Sequence, residues 1–192
     1  MQKVVKFGGS SLADSNQFKK VKNIIESDPL RRIVVVSALG KRKKDDHKIT
    51  DLLYLTCAHL KFQVDASSIF NIIKDRYNEI KDDLKIDIDL DKEYLEIEKA
   101  FNKNVDEEYV VSRGEYLCAL LMAKYLNYTF IDAKNVIYFN YDGTLNEELI
   151  SKKVKEILKE HKNVVIPGFY GAYPDGSIHL FSRGGSDITG SV

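Results

Sequence analysis

A lysine followed by paired glycines and paired hydroxyls, Lys6-Phe7-Gly8-Gly9-Ser10-Ser11, is the first stretch of this chain that could do chemistry. Glycine lets backbone come close to a ligand, neighbouring N–H groups can converge on anionic oxygens, and lysine adds a mobile positive charge. Phosphate is the guest such a set fits. Paired glycines after a strand also make an ordinary turn, so the stretch takes its meaning from what accompanies it.

Three other places carry suggestive chemistry. Ser37 follows the run Ile33-Val34-Val35-Val36, and the carboxyl ends of parallel strands are where open α/β sheets bind ligands; serine is also simply common at strand ends. Gly40-Lys41-Arg42-Lys43-Lys44-Asp45-Asp46 reads either as a solvated charged loop or as a flexible basic lid beside an acidic substrate. In Ser112-Arg113-Gly114-Glu115 the serine and glutamate stand at capping-box spacing, and Glu115 is equally open to a ligand role. By contrast, Cys57 and Cys118 sit in apolar helical patterns with no CxxC or Cys/His cluster, as reduced core residues of a cytoplasmic protein would. His47, His59, His161 and His179 are scattered without metal-ligand spacing, so no metal site is expected from them.

The elements that must position these residues alternate in type. Residues 3–7 form a strand, and Asp14 or Ser15 caps a helix carrying Phe18, Val21, Ile24 and Ile25 that Asp28-Pro29 stops. Residues 31–38 form a strand whose β-branched run suits burial on both faces of a parallel sheet. Thr50 starts a helix reaching about Phe62. Residues 64–104 hold two amphipathic patterns, one around Ile69, Ile72, Ile73, Tyr77, Ile80 and Leu84, the other around Tyr94, Leu95, Ile97 and Phe101. This region, counted as 64–108, reads as a helical insertion that shapes or covers the sheet and offers a subunit contact. An apolar helix follows over 116–127, entered through Ser112–Glu115. Strands are expected at 128–131, 136–139 and 163–171, a helix at 145–161, and a hairpin arm at 177–181 after the Pro174-Asp175-Gly176 turn. Ser186 or Asp187 resembles the cap of a further helix, with too few residues after it for a stable one.

At 192 residues the chain fits one domain with a real core. Basic and acidic residues both total 29, and this balance argues against a general nucleic-acid or membrane-surface binder while leaving small acidic ligands open. No signal peptide is legible and no apolar run reaches membrane-spanning length, so a soluble cytoplasmic protein is expected.

Taken in order, Lys6–Ser11, Val34-Val35-Val36-Ser37-Ala38, Ile49-Thr50-Asp51-Leu52-Leu53, Ser112-Arg113-Gly114-Glu115 and Phe181-Ser182-Arg183-Gly184-Gly185-Ser186-Asp187 closely resemble the aspartate kinases of the amino-acid kinase superfamily. The resemblance spans the chain apart from the helical region. It implies a three-layer αβα sandwich around a largely parallel sheet, and transfer of the ATP γ-phosphoryl group to the β-carboxylate of L-aspartate with Mg2+, giving the acyl phosphate that starts lysine, threonine and methionine synthesis. Neither GxxxxGK[ST] nor GxGxxG occurs, so phosphate must be held in another way.

The resemblance also implies roles. Lys6 pairs with the phosphoryl oxygens in transfer, with Gly8, Gly9 and Ser10 donating to the same group. Glu115 takes the aspartate ammonium, Arg183 grips the α-carboxylate, and Ser37, Thr50 and Ser186 add hydroxyl contacts. Asp187 orients Lys6 or the magnesium shell. The nucleophile is a carboxylate already ionised at neutral pH, so no general base is needed. In this family the nucleotide-binding half and the regulatory ACT domains follow the Arg-Gly-Gly-Ser-Asp segment. The expectation is therefore a substrate-binding, amino-terminal part, cut at the start of a buried helix, inactive alone and homo-oligomeric when complete. A relative acting on another acid, carbamate or nucleotide, and a non-catalytic remnant binding a small acid, remain the alternatives.

Overall fold

A computed structural model describes residues 2–182 and 184–192. Four parallel strands form the central sheet in the order β1 (Lys3–Phe7), β2 (Arg31–Val36), β4 (Val164–Pro167) and β3 (Thr129–Phe130). The continuous β-branched run of β2 follows from its central place. Val34 and Val36 enter one core with Phe18, Val21 and Ile25, while Ile33 enters a second with Val164, Ile166 and Ile150. Side chains alternate across a strand, so a strand covered on both faces must be apolar at every position.

The first core lies under α1 (Ser15–Glu26), α2 (Ile49–Lys61), α3 (Ser67–Asp83), α4 (Asp91–Glu98) and α5 (Glu107–Leu126). The second lies under α6 (Glu147–Glu160) and a separate antiparallel pair, β5 (Tyr170–Ala172) with β6 (Ile178–Leu180). This is the expected three-layer αβα sandwich. Asp14 caps α1 by accepting from the Gln17 N–H at 2.9 Å, as its side chain suggested. Ile24, Ile72 and Leu95 are exposed although each was expected on an apolar face, because each borders a neighbour that already fills the inward position.

Two expectations need correction. Residues 136–139 form no ladder strand; they make isolated bridges, Tyr138 with Ala172 and Phe139 with Leu145. The helix expected over 116–127 begins at Glu107, capped by Asp106, whose carboxylate accepts the Tyr109 N–H at 3.1 Å. Ser112 and Glu115 therefore lie inside α5 and form no capping box. Ser112 Oγ instead donates to the Tyr109 carbonyl at 2.6 Å. A short helix, α7 (Gly185–Thr189), does form near the carboxyl end, packed against β2 and β5.

Candidate active site

The carboxyl ends of β1 and β2 leave the sheet side by side, since Phe7 is in register with Val36 and the Ser37 N–H donates to the Phe7 carbonyl at 3.1 Å. The glycine turn after β1 and the loop after β2 therefore rise from the same edge, where open α/β sheets bind ligands. They are joined directly. The Gly40 N–H donates to the Gly9 carbonyl at 2.9 Å, and a β-carbon on Gly40 would stand 2.5 Å from the Gly9 carbonyl carbon.

The floor beneath them comes from α5. Gly114 brings this helix against the end of β2, where an added β-carbon would meet the Ala38 β-carbon at 3.0 Å and Leu53 Cδ1 at 3.1 Å. Glycine inside a helix costs roughly 1 kcal/mol against alanine, a cost this approach explains. The next residue, Glu115, thereby reaches a cleft of about 450 Å3 that Gly9, Ser10, Ser37 and Thr50 also line. Glu115 is 4% exposed, and its Oε2 has no hydrogen-bond partner among the described residues. Burial pushes its carboxyl up to about 7, against the opposing pull of the Ala38 backbone N–H and the Arg113 charge. A buried carboxylate with one oxygen left without a partner calls for a cationic guest. Lys41 and Lys48 stand on the same cleft wall, so the site offers one anionic point below and positive charge at the rim.

Beside the cleft, α7 is attached to both strand ends. Ser37 Oγ and Ser186 Oγ are 2.9 Å apart, and Lys6 Nζ pairs with Asp187 Oδ1 at 2.9 Å. Asp187 is mostly exposed, so the pair adds little stability; its effect is to fix the lysine head group. Gly8 leaves that head group uncrowded, its nearest neighbour for an added β-carbon being Lys6 Nζ at 3.7 Å. The structure thus gathers Lys6, Gly8, Gly9, Ser10, Ser37, Thr50, Glu115, Ser186 and Asp187 at one sheet edge. Arg183, expected to grip a carboxylate, lies outside the described residues.

The Amino acid kinase family model matches residues 1–192. The chain belongs to the amino acid kinase family. Within it, the chain is similar to aspartokinase 3 of Bacillus subtilis, 35% identical over 204 residues that take in 99% of this chain and 45% of the relative. It is also similar to the crystal structure of Clostridium acetobutylicum aspartate kinase, with 49% identity and a TM-score of 0.94 over 98% of this chain and 43% of that one. The E. coli aspartokinase III structure in complex with aspartate and ADP superimposes with a TM-score of 0.79 at 23% identity, over 98% of this chain and 45% of that one, a likeness of fold. The chain thus spans less than half the length of the relatives it matches.

Sequence reasoning missed one buried residue bonded to the loops around this cleft, Arg76 of α3. A signal was present: it stands three residues after Ile73 and four before Ile80, on the buried face of its helix. The basic loop, open to reading as a solvated charged loop or as a flexible lid, is exposed but not free. Asp46 accepts from the Arg42 backbone N–H at 3.0 Å and from Arg42 Nε at 2.9 Å, and Arg42 reaches Glu79 of α3 at 2.7 Å. The loop is tied back to the helical layer.

Proposed function

We propose that this chain carries the aspartate-binding and phosphoryl-contacting part of an aspartate kinase, which transfers the γ-phosphoryl group of ATP to the β-carboxylate of L-aspartate and yields 4-phospho-L-aspartate. The observation that carries this reading is the buried carboxylate of Glu115 on the cleft floor, one oxygen of which has no partner among the described residues and suits an amino acid's ammonium. Similarity to the Bacillus and Clostridium aspartate kinases supports aspartate as that amino acid.

With the ammonium on Glu115, the acid groups of the substrate face hydroxyls and positive charge. Ser37 and Thr50 donate to its carboxylates, Ser186 holds Ser37 in place, and Arg183, by its place in the family motif, receives the α-carboxylate. The β-carboxylate needs no base because it is ionised at neutral pH. Phosphoryl transfer then depends on positioning and on neutralising charge. Lys6, kept in place by Asp187, meets the phosphoryl oxygens as charge moves toward the leaving nucleotide, and the turn at Gly8–Ser10 contributes backbone and hydroxyl donors.

Magnesium would arrive with the nucleotide phosphates and offset their charge. Among the described residues no group of three His, Cys, Asp or Glu side chains could hold a metal, and Asp187 is the acid beside Lys6. We place the remaining nucleotide contacts in the part of such enzymes beyond the stretch this chain matches.

Titration calorimetry with L-aspartate, followed by ATP and magnesium, tests the reading, together with aspartyl-hydroxamate formation. Saturable heat with L-aspartate and none with L-alanine is the expected result. Heat with neither would remove aspartate from the proposal.

A further inference from the structure

Arg76 is 3% exposed, lies on α3 of the helical region, and belongs to neither strand-end loop, yet its guanidinium bonds to both. Nη2 donates to the Ala13 carbonyl at 3.1 Å and to the Gly40 carbonyl at 2.8 Å. Nη1 donates to the His47 carbonyl at 3.2 Å and meets Asp46 Oδ2 at 3.1 Å. Ala13 follows the glycine turn, while Gly40 and His47 bracket the basic loop that carries Lys41 and leads to Lys48 and Thr50. One side chain therefore holds the exit of the first loop and both ends of the second.

From this bridging geometry we propose that Arg76 is a positioning residue for the substrate cleft, and that the helical region serves to present it. The inference rests on the aspartate-site reading above. A fork of five donors on a planar frame can satisfy several fixed carbonyls at once, which no apolar residue can do. The charge is balanced locally. Burial pushes the Asp46 carboxyl up, but hydrogen bonds from Arg42 and His47 and the Arg76 charge hold it well below the usual carboxylate range, so it stays ionised beside the guanidinium. Nε is buried with no partner among the described residues, a cost accepted at this one atom while the other nitrogens hold the loops. Glu115 stands on α5 and makes no contact with Arg76. Loss of Arg76 therefore loosens the roof of the cleft and leaves its floor.

The test compares wild type with Arg76→Ala and Arg76→Lys by aspartate calorimetry and by amide hydrogen exchange. Arg76→Ala is expected to weaken aspartate binding about ten- to hundredfold, the range for losing charged hydrogen bonds. Amides of residues 9–13 and 40–48 should exchange faster while those of β2 and α5 keep their wild-type protection. Millimolar methylguanidinium should restore affinity by filling the vacated space. If Arg76→Ala does not fold, Arg76→Lys supplies the result, with a smaller loss and the same local pattern of exchange. Affinity within twofold of wild type in a folded variant overturns the proposal, as does faster exchange spread evenly through the sheet. Absence of aspartate binding by wild type counts against the proposed function instead, and the exchange pattern then still decides whether Arg76 clamps the loops.

Discussion

Gly40 donates its N–H to the Gly9 carbonyl at 2.9 Å, and the two residues lie so close that neither has room for a side chain against the other. A β-carbon on Gly9 would meet the Ala38 carbonyl oxygen at 2.8 Å. The glycine turn after β1 and the loop after β2 are therefore one surface, sealed by backbone.

Gly40→Ala should destabilise the fold by about 1–3 kcal/mol, the usual range for overpacking, because the clash is with backbone that cannot rotate away. Gly8→Ala should stay within about 0.5 kcal/mol of wild type, since Gly8 has ordinary extended angles and open space around it. Urea unfolding of both variants measures the contrast. Equal effects would mean that the close approach of Gly40 to the Gly9 backbone is not what keeps a side chain out of position 40.

The carboxyl of Glu115, raised to about 7 by burial, gives the cleft a pH dependence with a definite sign. The folded, empty protein holds this proton more tightly than the unfolded chain, so its contribution to stability falls as pH rises from about 5 to 7. On the proposed binding mode aspartate affinity runs the opposite way, because the ammonium needs the ionised carboxylate. Affinity should drop about tenfold per pH unit below 7, with proton release on binding visible in buffers of different ionisation enthalpy. Glu115→Gln should flatten that profile and weaken binding about ten- to hundredfold.

Much of this arrangement is legible in the residues, for reasons that separate it from the rest. Strand β1 falls at residues 3–7 as expected and Asp14 caps α1, because a strand period and a capping side chain are local signals. Glu115 was visible as chemistry but misplaced as structure. The Tyr109-Val110-Val111 run, rich in β-branched residues, obscured the first two turns of α5, which the Asp106 cap and packing against α2, β4 and β2 hold helical. Arg76 could be seen as a charge on an apolar face, but its partners Ala13, Gly40 and His47 are 63, 36 and 29 residues away, and no periodicity encodes three backbone carbonyls meeting at one point.

Cys57 and Cys118 are free, fully buried thiols, and burial pushes Cys57 up to about 12 and Cys118 well above the ordinary thiol range. Only thiolate reacts readily with disulfide reagents. Neither cysteine should be modified by Ellman's reagent near neutral pH in the native state, and both should react at once in denaturant. Rapid native-state labelling of either would show that α2 or α5 opens far more readily than its packing allows.

Tyr77 separates stability from positioning on the same helix as Arg76. Its hydroxyl, on a fully buried ring, donates to the Gly114 carbonyl at 2.7 Å and so joins α3 to α5. Tyr77→Phe removes that bond while keeping the ring volume, and should cost about 1 kcal/mol in urea unfolding. Aspartate affinity should stay within about twofold, because α5 is fixed independently by its own hydrogen-bond ladder and by the contact of Gly114 with Ala38 and Leu53. Arg76, one residue earlier, holds loops that have no ladder of their own, and its loss should act mainly on affinity. If Tyr77→Phe weakened aspartate binding as much as Arg76→Ala, general loosening of α3 would account for both, and the guanidinium's contacts with the three carbonyls would have no separate role.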